Sequence, residues 1–324
     1  MFDKLEKETI LQLKPQINRA NPSALRMWLV SLCAFVTIIQ SSLSDSFSSL
    51  LVAFAAVSMA ELAEFLFYFR TEKQAMPKDG SAIASAFILT LLLPNCLNPL
   101  YVALGVFFTM LVVKYSFGGL GANWLNPALG GWLFIRFSWP AAFEEALNVN
   151  PPSIGGANSA NNISSWISDT LNTSIFHVFG VELPKNYIEL FAYSGSGLII
   201  DRGLFAFLLG TIILGAFQVS RIWIPVAYLC FYAFLVKVSG NDLFLGLFSG
   251  SIIVAAFLLV ADSATSPKSR AGSLIVAILA GFLSWLFRYH GGEPYGAFFA
   301  VALLNALVPV IRRIETHLFY RGMA

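Results

Sequence analysis

Long apolar stretches recur along the whole chain, and short charged runs separate them. Each stretch is about 15 to 22 residues long, which is enough for a helix to span the hydrocarbon core of a bilayer. Hydrophobic residues occupy 57% of the 324 positions and charged residues only 12%, about half the charged share of a typical soluble domain. The pattern predicts an all-α integral membrane protein, because a helix satisfies its own backbone polar groups where water is absent.

Ten apolar stretches are candidates for transmembrane helices. The third and fourth are separated only by a proline-containing turn at residues 94–99, so each is expected to be short or tilted. The ten stretches lie at roughly 26–43, 47–69, 81–95, 98–114, 122–138, 203–219, 222–238, 243–261, 271–287 and 294–311.

The basic residues predict the orientation of these spans. If the N-terminus is cytoplasmic, 15 of the 20 lysines and arginines fall on the cytoplasmic side, as the positive-inside rule requires. Acidic residues outnumber basic ones on the other side. An even number of spans then places the C-terminus in the cytoplasm as well.

One long hydrophilic segment, residues 139–202, divides the spans into two groups of five. Because each group has an odd number of spans, the two halves are expected to have opposite orientations, as in inverted repeats. The predicted organisation is a cytoplasmic segment at 1–25, a first half at 26–138, an extracytoplasmic loop at 139–202, a second half at 203–311 and a cytoplasmic tail at 312–324.

Several site classes are not expected. A net charge of +2 is too small to indicate nucleic-acid binding. The three cysteines, Cys33, Cys96 and Cys230, lie far apart in apolar stretches, so no zinc or iron–sulfur site is predicted within the chain.

Two glycine-containing segments differ from ordinary spans. One begins at Lys78-Asp79-Gly80-Ser81-Ala82, and the other covers residues 117–131 with five glycines and an Asn-Pro pair. Irregular backbone at such a boundary is tolerated where it lines a cavity or a ligand, whereas small residues also permit close helix packing. The candidate binding residues of the second segment are Gly118, Gly119, Gly121, Asn126 and Pro127.

Charged residues inside the spans are the other candidates. Glu61 and Glu64 lie three residues apart on one helical face, where carboxylates are candidates for cation or proton handling. Alternatively, Glu64 reaches the interface or pairs with a basic residue near Lys114 or Arg70. Arg136, near the outer end of the fifth span, is expected either to face an anion such as a flavin phosphate or to extend to the membrane surface.

These segments resemble the family that contains the RnfD and NqrB membrane proteins. In the first half the similar motifs are Asp79-Gly80-Ser81-Ala82, the glycine segment at 117–131 and Ser138-Trp139-Pro140; in the second they are residues 222–227 and 261–267. The resemblance is closer to the RnfD type. It implies a membrane component of an Rnf complex, a redox-driven ion translocase, rather than a stand-alone enzyme, in the cytoplasmic membrane of a bacterium or archaeon.

The same resemblance implies a function and partners. The function is electron transfer on the ferredoxin/NADH side coupled to Na⁺ or H⁺ movement. The implied partners are the RnfA, RnfE, RnfG and RnfC proteins.

The resemblance also implies covalent FMN, attached through a phosphoester to a threonine in the extracytoplasmic loop. Asn158 stands at that position, and an amide cannot form the ester; Ser159, one position later, is the nearest hydroxyl. The expectation is therefore FMN, riboflavin or another flavin held without a covalent bond, or a redox-inactive scaffold or inverted-repeat transporter that has lost the flavin.

A second loop is implicated by the same resemblance. Asp262 and Thr265 correspond to a loop close to the flavin in that family. The alternative is structural, with Ser263 and Thr265 capping the helix that begins at 269–271.

Overall fold

A computed structural model describes residues 23–44, 47–71, 79–119, 121–148, 197–219, 221–248, 250–267 and 269–321. The regular structure of these residues is helical, and their only extended pairing is an isolated bridge between Pro94 and Leu198. An all-α membrane fold is thereby confirmed.

The described residues form thirteen α-helices, three of which continue as π-helical segments. The α-helices are α1 Ser23–Ser44, α2 Ser48–Arg70, α3 Ser81–Leu91, α4 Pro99–Phe108, α5 Pro127–Ser138, α6 Pro140–Asn148, α7 Ile199–Arg202, α8 Leu204–Ala216, α9 Trp223–Val238, α10 Leu243–Leu247, α11 Gly250–Val254, α12 Arg270–Trp285 and α13 Gly296–Arg321. The π-helical segments are Thr109–Lys114 after α4, Ala255–Val260 after α11 and Leu286–His290 after α12.

All ten predicted spans coincide with helices. Within the described residues, five helical stretches are long and apolar enough to cross a membrane: Ser23–Leu43, Ser48–Arg70, Pro99–Phe117, Arg270–His290 and Gly296–Glu315. Four further apolar helices are shorter: Ser81–Leu91, Leu204–Ala216, Trp223–Val238 and Ser251–Val260. Large apolar side chains such as Phe54, Phe69 and Ile212 point outward, as expected for a surface that contacts lipid.

Several helix boundaries in the structure differ from those predicted. The fifth span begins at Pro127 rather than 122, because Asn126 caps the helix and proline occupies its first turn. The predicted loop at 139–202 begins as helix α6, whose Phe143 is fully buried. Helix α13 continues to Arg321, so the predicted tail at 312–324 starts as helix.

The helices pack in the same order in the two halves. In the first half α2 packs against α3 and α4, and α4 packs against α5; in the second, α9 packs against the π-helical extension of α11 and against α12, and α12 packs against α13. The halves meet where the ring of Trp132 on α5 contacts Phe298 and Phe299 on α13, with ring centroids 5.0 and 5.1 Å apart. This repeated packing supports two structurally related halves.

Candidate functional site

A buried lysine lies where α2, α3 and the π-helical end of α4 meet. Lys114 is only 2% exposed, and its Nζ donates a 2.8 Å hydrogen bond to the Ser81 hydroxyl. The carboxylates of Glu64, Asp79 and Glu61 lie close enough to act electrostatically on this ammonium. A buried cation is stable only with such compensation, because removing it from water is expensive.

Glu64 is the buried carboxylate of this cluster. It is 5% exposed, and its Oε1 accepts a 2.6 Å hydrogen bond from the Tyr115 hydroxyl. The Tyr115 ring is held in place by stacking on Phe67, with centroids 4.3 Å apart. Glu64 therefore does not extend to the interface. Glu61, one turn earlier on the same helix, is half-buried.

The start of α3 presents Ser81 to the lysine. Gly80 has a φ of +69°, and a Cβ there would lie 2.9 Å from the Trp28 indole, so only glycine fits this position. The Asp79 carboxylate then accepts a 2.9 Å hydrogen bond from the Ser81 amide. The Asp-Gly-Ser-Ala motif singled out in the sequence thus positions the Ser81 hydroxyl that accepts from Lys114.

The glycines of the second segment divide into two groups. Gly118, Gly119 and Gly121 have φ values of +105°, +93° and +85°, and the direction a Cβ would take is open at Gly119 and Gly121. In contrast, a Cβ on Gly131 would collide with the Thr109 side chain. The backbone is therefore irregular at Gly118, Gly119 and Gly121, whereas Gly131 permits close helix packing. A ligand at the irregular backbone stays a prediction.

An apolar groove of about 430 Å³ runs beside these glycines, between α4 and α5. Its walls are mainly aromatic and aliphatic. The lining residues are Phe108, Val112, Val113, Phe117, Trp124, Leu125, Gly130, Leu133, Phe134, Phe137 and Ser138.

A polar junction joins the two halves. Asn126 caps α5 by accepting hydrogen bonds from the Ala128 and Leu129 amides, at 3.1 and 3.4 Å, and its Nδ2 donates to Asp262 at 3.2 Å. Asp262 also accepts from the Thr265 hydroxyl at 3.2 Å. This contact places the loop between the fourth and fifth spans beside the loop between the eighth and ninth.

The loop that contains Asp262 is held by its own contacts. Arg312 donates to the carbonyl oxygens of Ala264 and Ser266 at 2.7 and 2.6 Å. The prediction that Ser263 and Thr265 cap the following helix is wrong: Ser269 caps α12 by accepting from the Gly272 amide. The Thr265 hydroxyl is not available for that role, because it is buried and donates to Asp262.

The other predicted residues lie apart from this site. Arg136 forms an ion pair with Glu144 and lies over the Phe143 ring, so its anionic partner is within the chain. Asn158 and Ser159 fall outside the described residues. Among the residues that the structure does describe, no three His, Cys, Asp or Glu side chains are grouped so as to hold a metal.

Lys114 and Tyr115 are the functional candidates that the sequence did not single out as site residues. By position, Lys114 looks like an interfacial residue that follows a span, yet its partner Ser81 lies 33 residues earlier in the chain. The available signal was a basic residue and a tyrosine shortly before a Gly-Gly pair at the end of a span.

Comparison with known proteins gives consistent matches over most of the chain. A sequence model described as the NQR2, RnfD, RnfE family matches residues 10–320. A protein of Clostridium ljungdahlii, named as the D subunit of the proton-translocating ferredoxin:NAD(+) oxidoreductase complex, is 26% identical over 292 residues, covering 88% of each chain.

Two further relatives carry related names. The D subunit of the Na(+)-translocating ferredoxin:NAD(+) oxidoreductase complex of Acetobacterium woodii is 28% identical over 255 residues, covering 77% of this chain and 75% of the relative. The D subunit of the ion-translocating oxidoreductase complex of Escherichia fergusonii is 31% identical over 273 residues, covering 73% and 76%.

If Asn126 and Asp262 are bonded directly, exchanging the two side chains should restore stability that a single change removes. In Asp262→Asn an amide N–H group can face the Asn126 and Thr265 donors, where the carboxylate oxygen accepted from both. This change should lower the free energy of unfolding by about 1–3 kcal/mol. The double variant Asn126→Asp/Asp262→Asn exchanges donor and acceptor, and it should recover part of that loss. Thermal unfolding in detergent measures both, and strictly additive effects of the two single changes would contradict a direct bond.

Proposed function

This chain belongs to the NQR2, RnfD, RnfE family, and from that premise we propose that it is the RnfD component of an Rnf-type complex, which couples electron transfer to ion translocation. The single observation that carries the proposal is the family match over residues 10–320. Relatives that share most of their length with this chain are named as the D subunits of such complexes. Its several membrane-spanning helices fit that multi-pass role.

We propose that the coupled ion, Na⁺ or H⁺, is handled at the Lys114 cluster. Glu61 and Glu64 present two carboxylates within one helix turn, inside a span, beside a compensating ammonium. Ionisable groups at such positions commonly mark ion or proton pathways. The relatives are named for both ions, and either one can interact with a carboxylate whose charge is partly balanced.

We infer the placement in the inner membrane from the charges and from the family. Arg312 and Asp262 lie at the same end of the helices as Asn126 and Lys114, and we infer that this end faces the cytoplasm. Both termini are then cytoplasmic, and the membrane is the inner one. RnfA, RnfE, RnfG and RnfC are the proposed partners, with RnfA and RnfE packed against the spans and RnfG on the outer side.

We propose further that any flavin is held without a covalent bond. The groove between α4 and α5 fits a flat aromatic ring, since Phe117, Trp124 and Phe134 are among its walls. The Thr265 hydroxyl is unsuited to an ester because it is buried and bonded to Asp262. A flavin bound there, FMN or riboflavin, would supply one- and two-electron transfer, while the groove would orient the ring and exclude water.

A second candidate function is a redox-inactive scaffold or transporter within the same fold. The observation that favours it is Asn158, which stands where the family resemblance implies the attachment threonine. The two candidates differ in whether this protein carries an electron.

Glu61→Gln should impair ion-coupled activity without dissociating the complex. Loss of the charge removes an interaction of roughly 1.4 kcal/mol or more with the ion, so coupled transport should fall about tenfold. Transport into proteoliposomes and size-exclusion chromatography measure the two properties. Glu145→Gln is the matched control, because Glu145 is an exposed carboxylate on α6. Unchanged coupled transport in Glu61→Gln would show that Glu61 is not on the ion path.

The flavin proposal predicts a dark band for this protein after denaturing electrophoresis. A flavin held only by contacts in the groove is released with the fold, whereas an ester survives. In-gel fluorescence checks this, and Trp124→Ala should lower the flavin content of the native complex by weakening ring stacking. A fluorescent band lost in Ser159→Ala would instead establish an ester at Ser159.

A further inference from the structure

The second half contains a counterpart of the Lys114 segment. Arg288 and Tyr289 lie within the π-helical segment after α12 and precede Gly291-Gly292. In the first half, Lys114 ends the π-helical segment after α4, and Lys114 and Tyr115 precede Gly118-Gly119. Each segment leads through a proline to the start of the last helix in its half. π-Helical turns inside longer helices are often found at functional sites.

The charge environments of the two basic residues differ. Three carboxylates act electrostatically on Lys114, whereas Arg288 acts electrostatically on two tyrosines, Tyr228 and Tyr232. Among the described residues Arg288 forms no ion pair, and Glu293, the nearest carboxylate along the chain, is not within ion-pair distance of it. Among the described side chains neither basic residue forms a direct ion pair; carboxylates act at longer range on Lys114.

Two hydrogen-bond donors of this cluster are poorly satisfied. Arg288 is half-buried, and its Nη1 is inaccessible and makes no hydrogen bond with any described residue. The hydroxyl of the fully buried Tyr232 makes no hydrogen bond of good geometry within the described structure, although the Tyr289 side chain lies close to it. By contrast, the neighbouring Tyr228 hydroxyl is satisfied by Ser284 at 2.8 Å.

A buried guanidinium N–H group without an acceptor is unfavourable. The Arg288 guanidinium lies over the Tyr289 ring, 5.9 Å from its centroid, and this contact supplies no acceptor oxygen for Nη1. Two such donors, one of them cationic, match a ligand that offers several negative acceptor oxygens. The planar guanidinium fork binds phosphate oxygens through paired hydrogen bonds, and a tyrosine hydroxyl donates a further one.

We propose that Arg288 and Tyr232 form a phosphate-binding site at the carboxyl end of α12. In the orientation inferred above, this end faces the outer side of the membrane. The phosphate comes either from an anionic phospholipid headgroup or from an FMN molecule that is separate from any flavin in the groove between α4 and α5. Binding of a lipid headgroup does not require the protein to carry an electron. The phosphate site can therefore be tested separately from the proposed redox role.

The test compares ligands with and without a phosphate on the full chain in phosphatidylcholine nanodiscs. FMN and riboflavin binding is measured by fluorescence, and retention of phosphatidylglycerol is measured by native mass spectrometry. Arg288→Gln should weaken the phosphate-bearing ligand at least about tenfold, because a charge-assisted contact is lost. Riboflavin binding should not change.

Arg136→Gln is the matched control, because Arg136 is already paired with Glu144. Tyr232→Phe keeps the buried ring and removes only the hydroxyl, so it tests the site if Arg288→Gln does not fold. A selective loss of phosphatidylglycerol identifies a lipid, and a selective loss of FMN identifies the flavin. Wild-type binding of both ligands by Arg288→Gln or Tyr232→Phe, or an equal loss in Arg136→Gln, would overturn the proposal.

Discussion

Compensation of one buried charge organises the first half of this protein. The Lys114 ammonium is almost inaccessible, and it is stable there because it donates to Ser81 and because carboxylates from α2 and from the turn before α3 act on it electrostatically. The same requirement fixes the helices relative to one another, because Ser81 at the start of α3 and Glu64 on α2 must both approach the π-helical end of α4. The arrangement leaves Glu61 half-buried at the edge of the cluster.

The halves are coupled by a second polar contact on the same side of the protein. Asn126 serves at once as the cap of α5 and as the donor to Asp262, so the start of one helix depends on a loop of the other half. Arg312 from α13 fixes that loop through two carbonyl oxygens.

The sequence predicts the spans well because the bilayer, rather than tertiary packing, determines where apolar stretches occur. It also singles out Asn126, Asp262 and Thr265, which the structure brings into one junction. It misses the burial of Lys114, because that depends on Ser81 and Glu64, which are distant in the chain. Composition alone likewise does not reveal that the predicted span at 243–261 is two helices, Leu243–Leu247 and Gly250–Val254, with a π-helical extension.

The most direct test of this account is a double-mutant cycle on Lys114→Met and Glu64→Gln, read by thermal unfolding of the purified complex. Each single change removes one side of the compensation and should destabilise the fold by about 3–5 kcal/mol. The double variant leaves neither charge, so the account predicts a coupling energy of about 1–3 kcal/mol and a partial recovery of stability. Additive losses in the double variant would contradict the claim that these charges compensate each other.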